Sequence, residues 1–121
     1  MSEHDQQAAL VQWFKLKYPK YADCIIAIPN GSWLNGKGRF ALMNKLKKEG
    51  LKPGASDLFI AVPKGDKHGM WLEVKDYGKT LCSVSKEQQE HLDLMIEMGY
   101  EGVWGSGFDI LKSAVETYMH Q

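Results

Sequence analysis

The feature that most limits how this chain can fold is a pair of short apolar runs, residues 57–62 and 69–75, separated by Pro63-Lys64-Gly65-Asp66-Lys67-His68. Turn formers between two β-prone runs predict a hairpin. Side chains alternate across a strand, so Met70, Leu72 and Val74 share one face, while Trp71, Glu73 and Lys75 share the other. In the partner run, Asp57, Phe59 and Ala61 fall together. With the turn centred near Lys64 to Lys67, Asp57 lies opposite Glu73 or nearly so. Directly opposed side chains start about 4.5–5.5 Å apart at Cβ. Two carboxylates that close repel each other unless a positive group lies between them.

The segments around the hairpin decide its setting. Residues 5–18 predict a helix, with Val11, Phe14 and Tyr18 recurring at helical spacing and Pro19 ending it. Cys24 to Ile28 predicts a strand that stops at Pro29-Asn30-Gly31. A glycine-rich loop through Gly36 and Gly38 leads to a helix over 39–49, with Ala41, Leu42 and Leu46 on one side and Gly50 as its stop. A helix over 85–98 ends at Gly99, a short strand covers 101–105, and an amphipathic helix covers 108–120 with Ile110, Leu111, Ala114 and Tyr118 inward. Strands alternating with helices in this order predict an α/β fold, a mixed β-sheet flanked by helices. A length of 121 residues suits one domain spanning 1–121. No apolar run approaches the roughly 20 residues of a membrane helix, and the polar opening residues do not read as a signal peptide. Cys24 and Cys82 are too far apart for a C-x-x-C pair. They read as buried or half-buried thiols of a cytoplasmic protein, bacterial or in a phage-infected cell.

The charge pattern and the hairpin point the same way. Fifteen basic residues balance 15 acidic ones, which counts against a protein that coats nucleic acid through bulk charge. Locally, Lys37, Arg39, Lys45, Lys47, Lys48 and Lys52 face a single acid, Glu49. This is either a footprint for a phosphate backbone or a solvated helix face. A divalent cation such as Mg²⁺ answers the repulsion between Asp57 and Glu73, because it takes one or two carboxylates and keeps waters and substrate phosphate as its other ligands. Lys75, two residues along the same face, is placed to orient a water or to stabilise charge on a phosphate. These are the minimum parts for hydrolysing a phosphodiester. An E-x-K pair by itself is common on edge strands, and an Asp opening a strand is often only a turn residue. Their occurrence on both arms of one hairpin narrows the choice. Gln88 lies on the apolar stripe of the 85–98 helix with Leu92, Met95 and Ile96. It either closes a capping box with Ser85 or contacts the metal site or the nucleic acid. His4, His68, His91 and His120 have no metal-binding spacing and read as surface residues. Gly36-Lys37-Gly38 lacks the rest of a phosphate loop. Trp33 reads first as packing on its own domain and second as a base-stacking residue. Trp13, Trp71 and Trp104 read as core or interface.

Gly54-Ala55-Ser56-Asp57, Glu73-Val74-Lys75, Ser85-x-x-Gln88 and Gly99-Tyr100 together resemble the VRR-NUC family, the virus-type replication-repair branch of the PD-(D/E)xK nucleases. Glu3-x-x-x-Gln7 and Pro29-Asn30-Gly31 are similar to that family as well, so the likeness covers nearly the whole chain. It implies a restriction-endonuclease-like fold and dependence on Mg²⁺ or Mn²⁺. Asp57, Glu73 and the Val74 carbonyl would be the metal ligands, Lys75 the catalytic lysine and Gln88 its polar support. Glu3 or Gln7 would reach in from the first helix. Nucleic-acid contacts are expected at Asn30, Lys37, Arg39, Lys45 and Lys48. Stand-alone members resemble Holliday-junction resolvases that act as homodimers on branched DNA. Ser56 stands where the family usually has proline. A less selective nuclease or nickase, and a non-catalytic DNA-binding module, are the alternative functions.

Overall fold

The structure is a computed structural model that describes residues 2–121. Its elements follow the expected order: α1 (Glu3–Lys17), β1 (Ile25–Ala27), α2 (Arg39–Lys48), β2 (Leu58–Ile60), β3 (Met70–Lys75), α3 (Lys86–Glu97), β4 (Glu101–Ser106) and α4 (Phe108–Met119). Short 3₁₀ turns cover Pro19–Cys24 and Leu81–Ser83. The four strands form one mixed sheet in the order β1-β2-β3-β4. β1 and β3 each run antiparallel to β2, and β3 runs parallel to β4. The β3–β4 connection passes through α3, the kind of helical crossover that parallel strands require.

The hairpin register is set at its turn. Lys64 and Lys67 exchange backbone hydrogen bonds of 3.1 and 2.9 Å across Gly65-Asp66, and Gly65 supplies the positive φ of +57° that so tight a turn favours. From there Ile60 pairs with Met70, Phe59 with Trp71 and Leu58 with Leu72. One further step sets Asp57 against Glu73. Leu58, Ile60, Met70, Leu72 and Val74 point to one side, where Leu10 and Phe14 of α1 and Leu111, Val115 and Tyr118 of α4 complete the main core. On the other side Phe59, Trp71 and Tyr100 form an aromatic cluster, and His91 of α3 meets the Trp71 ring edge-on at 4.9 Å.

The helices hold several departures from the sequence expectations. The inward stripe of α1 is Gln6, Leu10 and Phe14, while Val11 and Tyr18 are only half-buried. Gln6 tolerates burial because its Oε1 accepts the Phe108 N–H at 2.8 Å, which supplies a partner for the first turn of α4. In α4 the buried set is Leu111, Val115, Tyr118 and Met119, and Ile110 faces out. Helix α2 buries none of its residues. Leu42, expected inward, is exposed, and so is Ala41. Its apolar residues repeat at helical spacing, but the cover is partial: Leu46, also expected inward, and Met43 are half-buried, with Met43 against Gly31. Cys82 is exposed and Cys24 half-buried.

His91 is buried, in contrast to its expected surface place. It holds the chain just before β2. Its Nδ1 accepts the Ser56 N–H at 3.2 Å and lies 3.1 Å from Ser56 Oγ. Accepting from a backbone N–H requires a lone pair on Nδ1, so the ring is neutral with its proton on Nε2. Burial lowers the proton affinity of His91, and Lys52 lowers it further. The same segment is pressed onto α3 at Gly54, whose φ is +83°. A Cβ there would lie 2.6 Å from Glu87 Cβ and 2.9 Å from the Glu87 carbonyl carbon. Gly54→Ala is therefore expected to combine a left-handed backbone cost of about 1–2 kcal/mol with a backbone clash. Urea unfolding should show a loss of about 2 kcal/mol or more, and an unchanged midpoint would mean that this contact is not tight.

Candidate active site

The polar residues of the hairpin meet at the end of β3 that runs toward α3. Asp57 is fixed from three sides. Its carbonyl accepts the Ile28 N–H at 2.9 Å, which continues the β1–β2 ladder. Its Oδ2 accepts the Val74 N–H at 2.8 Å, and its Oδ1 accepts Asn30 Nδ2 at 3.2 Å. A carboxylate held by two donors keeps lone pairs on both oxygens, so it retains capacity for a cation.

Glu73 is the anomaly. It has no exposed surface, and neither carboxylate oxygen has a hydrogen-bond partner. Burying such a group as an anion costs several kcal/mol. Its pKa is pushed up to about 10, first by burial and then by the Asp57 carboxyl beside it, with Lys75 pulling it down. Without a cation, burial and the neighbouring Asp57 carboxyl favour the protonated form of Glu73. A buried, unpaired carboxylate facing a second one is what a divalent ion would complete, and the donors are all oxygen, as Mg²⁺ prefers. Among the described residues no cluster of three or more His, Cys, Asp or Glu side chains forms a cage. The two carboxylates match the small protein ligand set of a magnesium site, which leaves positions for water and phosphate.

Lys75 is 8% exposed, and its Nζ donates to Gln88 Oε1 at 3.0 Å. The same oxygen accepts the Ser85 N–H at 2.8 Å, and Ser85 Oγ accepts the Gln88 N–H at 3.1 Å. Gln88 thus closes the capping box of α3, as one alternative expected, and also bonds to Lys75. The Lys75 carbonyl accepts the Gly107 N–H at 2.9 Å, which ties the end of β3 to the start of α4.

An open cleft of about 410 Å³ borders this cluster, lined by residues that include Glu3, His4, Gln7, Asn30, Trp33 and Asp57. Both first-helix candidates therefore reach it. Crowding raises the proton affinity of Glu3, Lys75 lowers it and Asp57 raises it again, so this carboxyl senses both site residues. Asn30, expected to contact nucleic acid, is buried instead. It bonds to Asp57 and donates to the Ala55 carbonyl at 2.9 Å, while its Oδ1 accepts the Ser32 N–H at 3.1 Å. Lys37, Arg39, Lys45 and Lys48 are exposed on and before α2. The sequence reading missed His91, which bonds to the residue before Asp57. Its only signal was a position three residues after Gln88, beside Leu92 of the inward stripe.

No protein-family model matches the sequence, and no curated protein matches it. A solved structure described as a "VRR_NUC domain protein" superimposes with a TM-score of 0.83 at 25% sequence identity, covering 99% of this chain and 89% of that one. The mixed sheet and its flanking helices are thus shared over nearly the full length, and this chain is a structural match to a VRR_NUC domain protein, the family that its motifs resemble.

Proposed function

We propose that this chain is a divalent-metal-dependent endonuclease that hydrolyses phosphodiester bonds in DNA, with branched DNA such as a four-way junction as its substrate. A VRR_NUC fold implies a nuclease of the PD-(D/E)xK class. The observation that carries the reading is the pair of unpartnered Glu73 oxygens, buried opposite Asp57 and beside Lys75.

Asp57 and Glu73 would hold Mg²⁺ or Mn²⁺, with the Val74 carbonyl as the further ligand that the family resemblance implies. The bound ion would acidify a water and neutralise charge on the phosphate. The chain's own residues do the rest. Val74 N–H and Asn30 fix the Asp57 carboxylate. Gln88 takes one N–H of the Lys75 ammonium and leaves two for a phosphate oxygen or an attacking water. Glu3 and Gln7 wall the cleft from α1 and are placed to accept from or donate to that water. Lys37, Arg39, Lys45 and Lys48 supply the exposed positive surface for the DNA backbone. Symmetric cutting of a junction needs two sites related by a two-fold axis, so the working form in this reading is a homodimer. No helix of the described residues is long and apolar enough to cross a membrane.

Three outcomes test this. Asp57→Asn, Glu73→Gln and Lys75→Ala should each lower Mg²⁺-dependent cleavage of a four-way junction by about 10²-fold or more while leaving the circular dichroism spectrum intact. Junction binding without cleavage in any divalent ion would favour a non-catalytic module, and equal cleavage of a linear duplex would favour a less selective nuclease. Glu73 also sets a pH dependence in EDTA. Its folded pKa lies above its unfolded value, so the stability it contributes is complete below about pH 4.5 and is lost as pH rises toward 10. Glu73→Gln should therefore melt higher than the parent at pH 8, with the gap closing toward pH 4.5; a gap independent of pH would refute the buried proton. Replacing Lys37, Arg39, Lys45 and Lys48 by Gln should flatten the salt dependence of DNA affinity, by a log–log slope of about 0.9 for each lost phosphate contact.

A further inference from the structure

Trp33 is the one tryptophan exposed among those of this chain, at 58%. It stacks on no other aromatic ring and has no cation over its face, whereas Trp13 and Trp71 each meet neighbouring rings. A large exposed aromatic without a partner loses free energy to water unless a ligand covers it. Its place is specific. Trp33 lines the 410 Å³ cleft together with Asp57 and Glu3, and it also lines a second open cleft of about 510 Å³ with Ile28, Pro29, Leu46 and Leu51. The indole, with Ile28 and Pro29, thus borders both the cleft at Asp57 and a mostly apolar recess.

The indole's attachment is tied to the catalytic carboxylate. Asn30 bonds through its amide nitrogen to Asp57 Oδ1 and through its oxygen to the Ser32 N–H, and the Leu34 N–H closes the loop on the Gly31 carbonyl at 3.0 Å. One side chain therefore couples the loop that carries Trp33 to a residue of the proposed metal site. After the loop in sequence come Lys37, Arg39, Lys45, Lys47 and Lys48, all exposed. A polyanion drawn to that surface, with a phosphate at Asp57 and Glu73, brings its bases past Trp33. In an intact duplex those bases are stacked on each other and offer no free ring face. An unpaired base offers one.

We propose that Trp33 is a stacking platform for an unpaired nucleobase next to the scissile phosphate, and that it makes the enzyme select DNA with an unpaired nucleotide at the cut. This rests on the nuclease reading above and adds a specificity determinant to it. Every base has a π-face, so the platform selects for lack of pairing rather than for sequence. Base-on-aromatic stacking changes affinity by roughly 5- to 150-fold per base.

The test compares the parent, Trp33→Phe and Trp33→Ala on two DNAs of the same sequence, one fully paired and one with a single unpaired thymidine beside the cut. The readout is the ratio of kcat/KM for the two. Trp33→Ala should reduce the preference for the unpaired substrate by about tenfold or more, and Trp33→Phe should retain most of it. A second readout needs no turnover. Oligothymidylate added in Ca²⁺ should quench indole fluorescence in the parent and much less in Trp33→Phe. An unchanged ratio in Trp33→Ala, or an equal fall on both DNAs, overturns the proposal. So does a change in oligomeric mass on Trp33→Ala without a change in the ratio, which would make the ring an interface between copies. A parent that cuts neither DNA with Mg²⁺ or Mn²⁺ overturns the nuclease reading itself, a distinct result.

Discussion

Two carboxyl groups pressed together on neighbouring strands are the constraint around which this molecule is arranged. Extending the β2–β3 register by one residue brings Asp57, just before β2, opposite Glu73, which is cut off from water with both oxygens unpartnered. Such a pair opposes folding whenever both groups are charged. The surrounding structure accepts the penalty and holds the pair in place. Asp57 is bonded along its backbone to β1, and through its side chain to β3 and to Asn30. Lys75, the nearest cation, is drawn toward Gln88 instead of neutralising Glu73 directly.

The rest of the scaffold reads as support for that arrangement. β3 is paired on both edges and covered on both faces, so its side chains have little freedom. Helix α3 serves the site twice. Its first turn supplies Gln88 to Lys75, and its second supplies His91 to Ser56, the residue before Asp57. Gly54 allows the approach to Asp57 to lie directly against Glu87 of the same helix. Helix α1 contributes Glu3 and Gln7 at the cleft while Leu10 and Phe14 of the same helix lock it into the core. Precise placement on regular elements, rather than on free loops, is what positions a reactive group to within a fraction of an ångström.

Helix α2 and the loop before it follow different rules. They carry positive charge and uncovered apolar side chains, and they bury nothing of α2. A segment of this kind adds little to folding stability. Asn30 ties the start of the preceding loop, at Ser32, to the Asp57 carboxylate. The exposed basic segment and Asp57 are therefore separate in the chain, and the loop between them is tied to Asp57 by one buried amide.

Much of this was determined by local sequence. Alternation in Met70–Lys75 and the turn at Gly65-Asp66 fix which residues share a face and which stand opposite, because strand period and turn length leave little choice of register. Helix ends at Gly50 and Gly99, the cap at Ser85, and the mixed α/β order followed from rules that act over a few residues. Tertiary structure alone decided what each apolar stripe met. Periodicity in α2 matched that of a packed helix, but which side chains find cover depends on the path of the whole chain: Met43 and Leu46 are half-buried, and Ala41 and Leu42 stay exposed. Burial of His91 and Asn30 likewise depended on partners 35 and 27 residues away, which no local pattern encodes. The depth of Glu73 was also beyond local reading: alternation gave its direction, and only the covering layers made it a buried carboxyl without a donor.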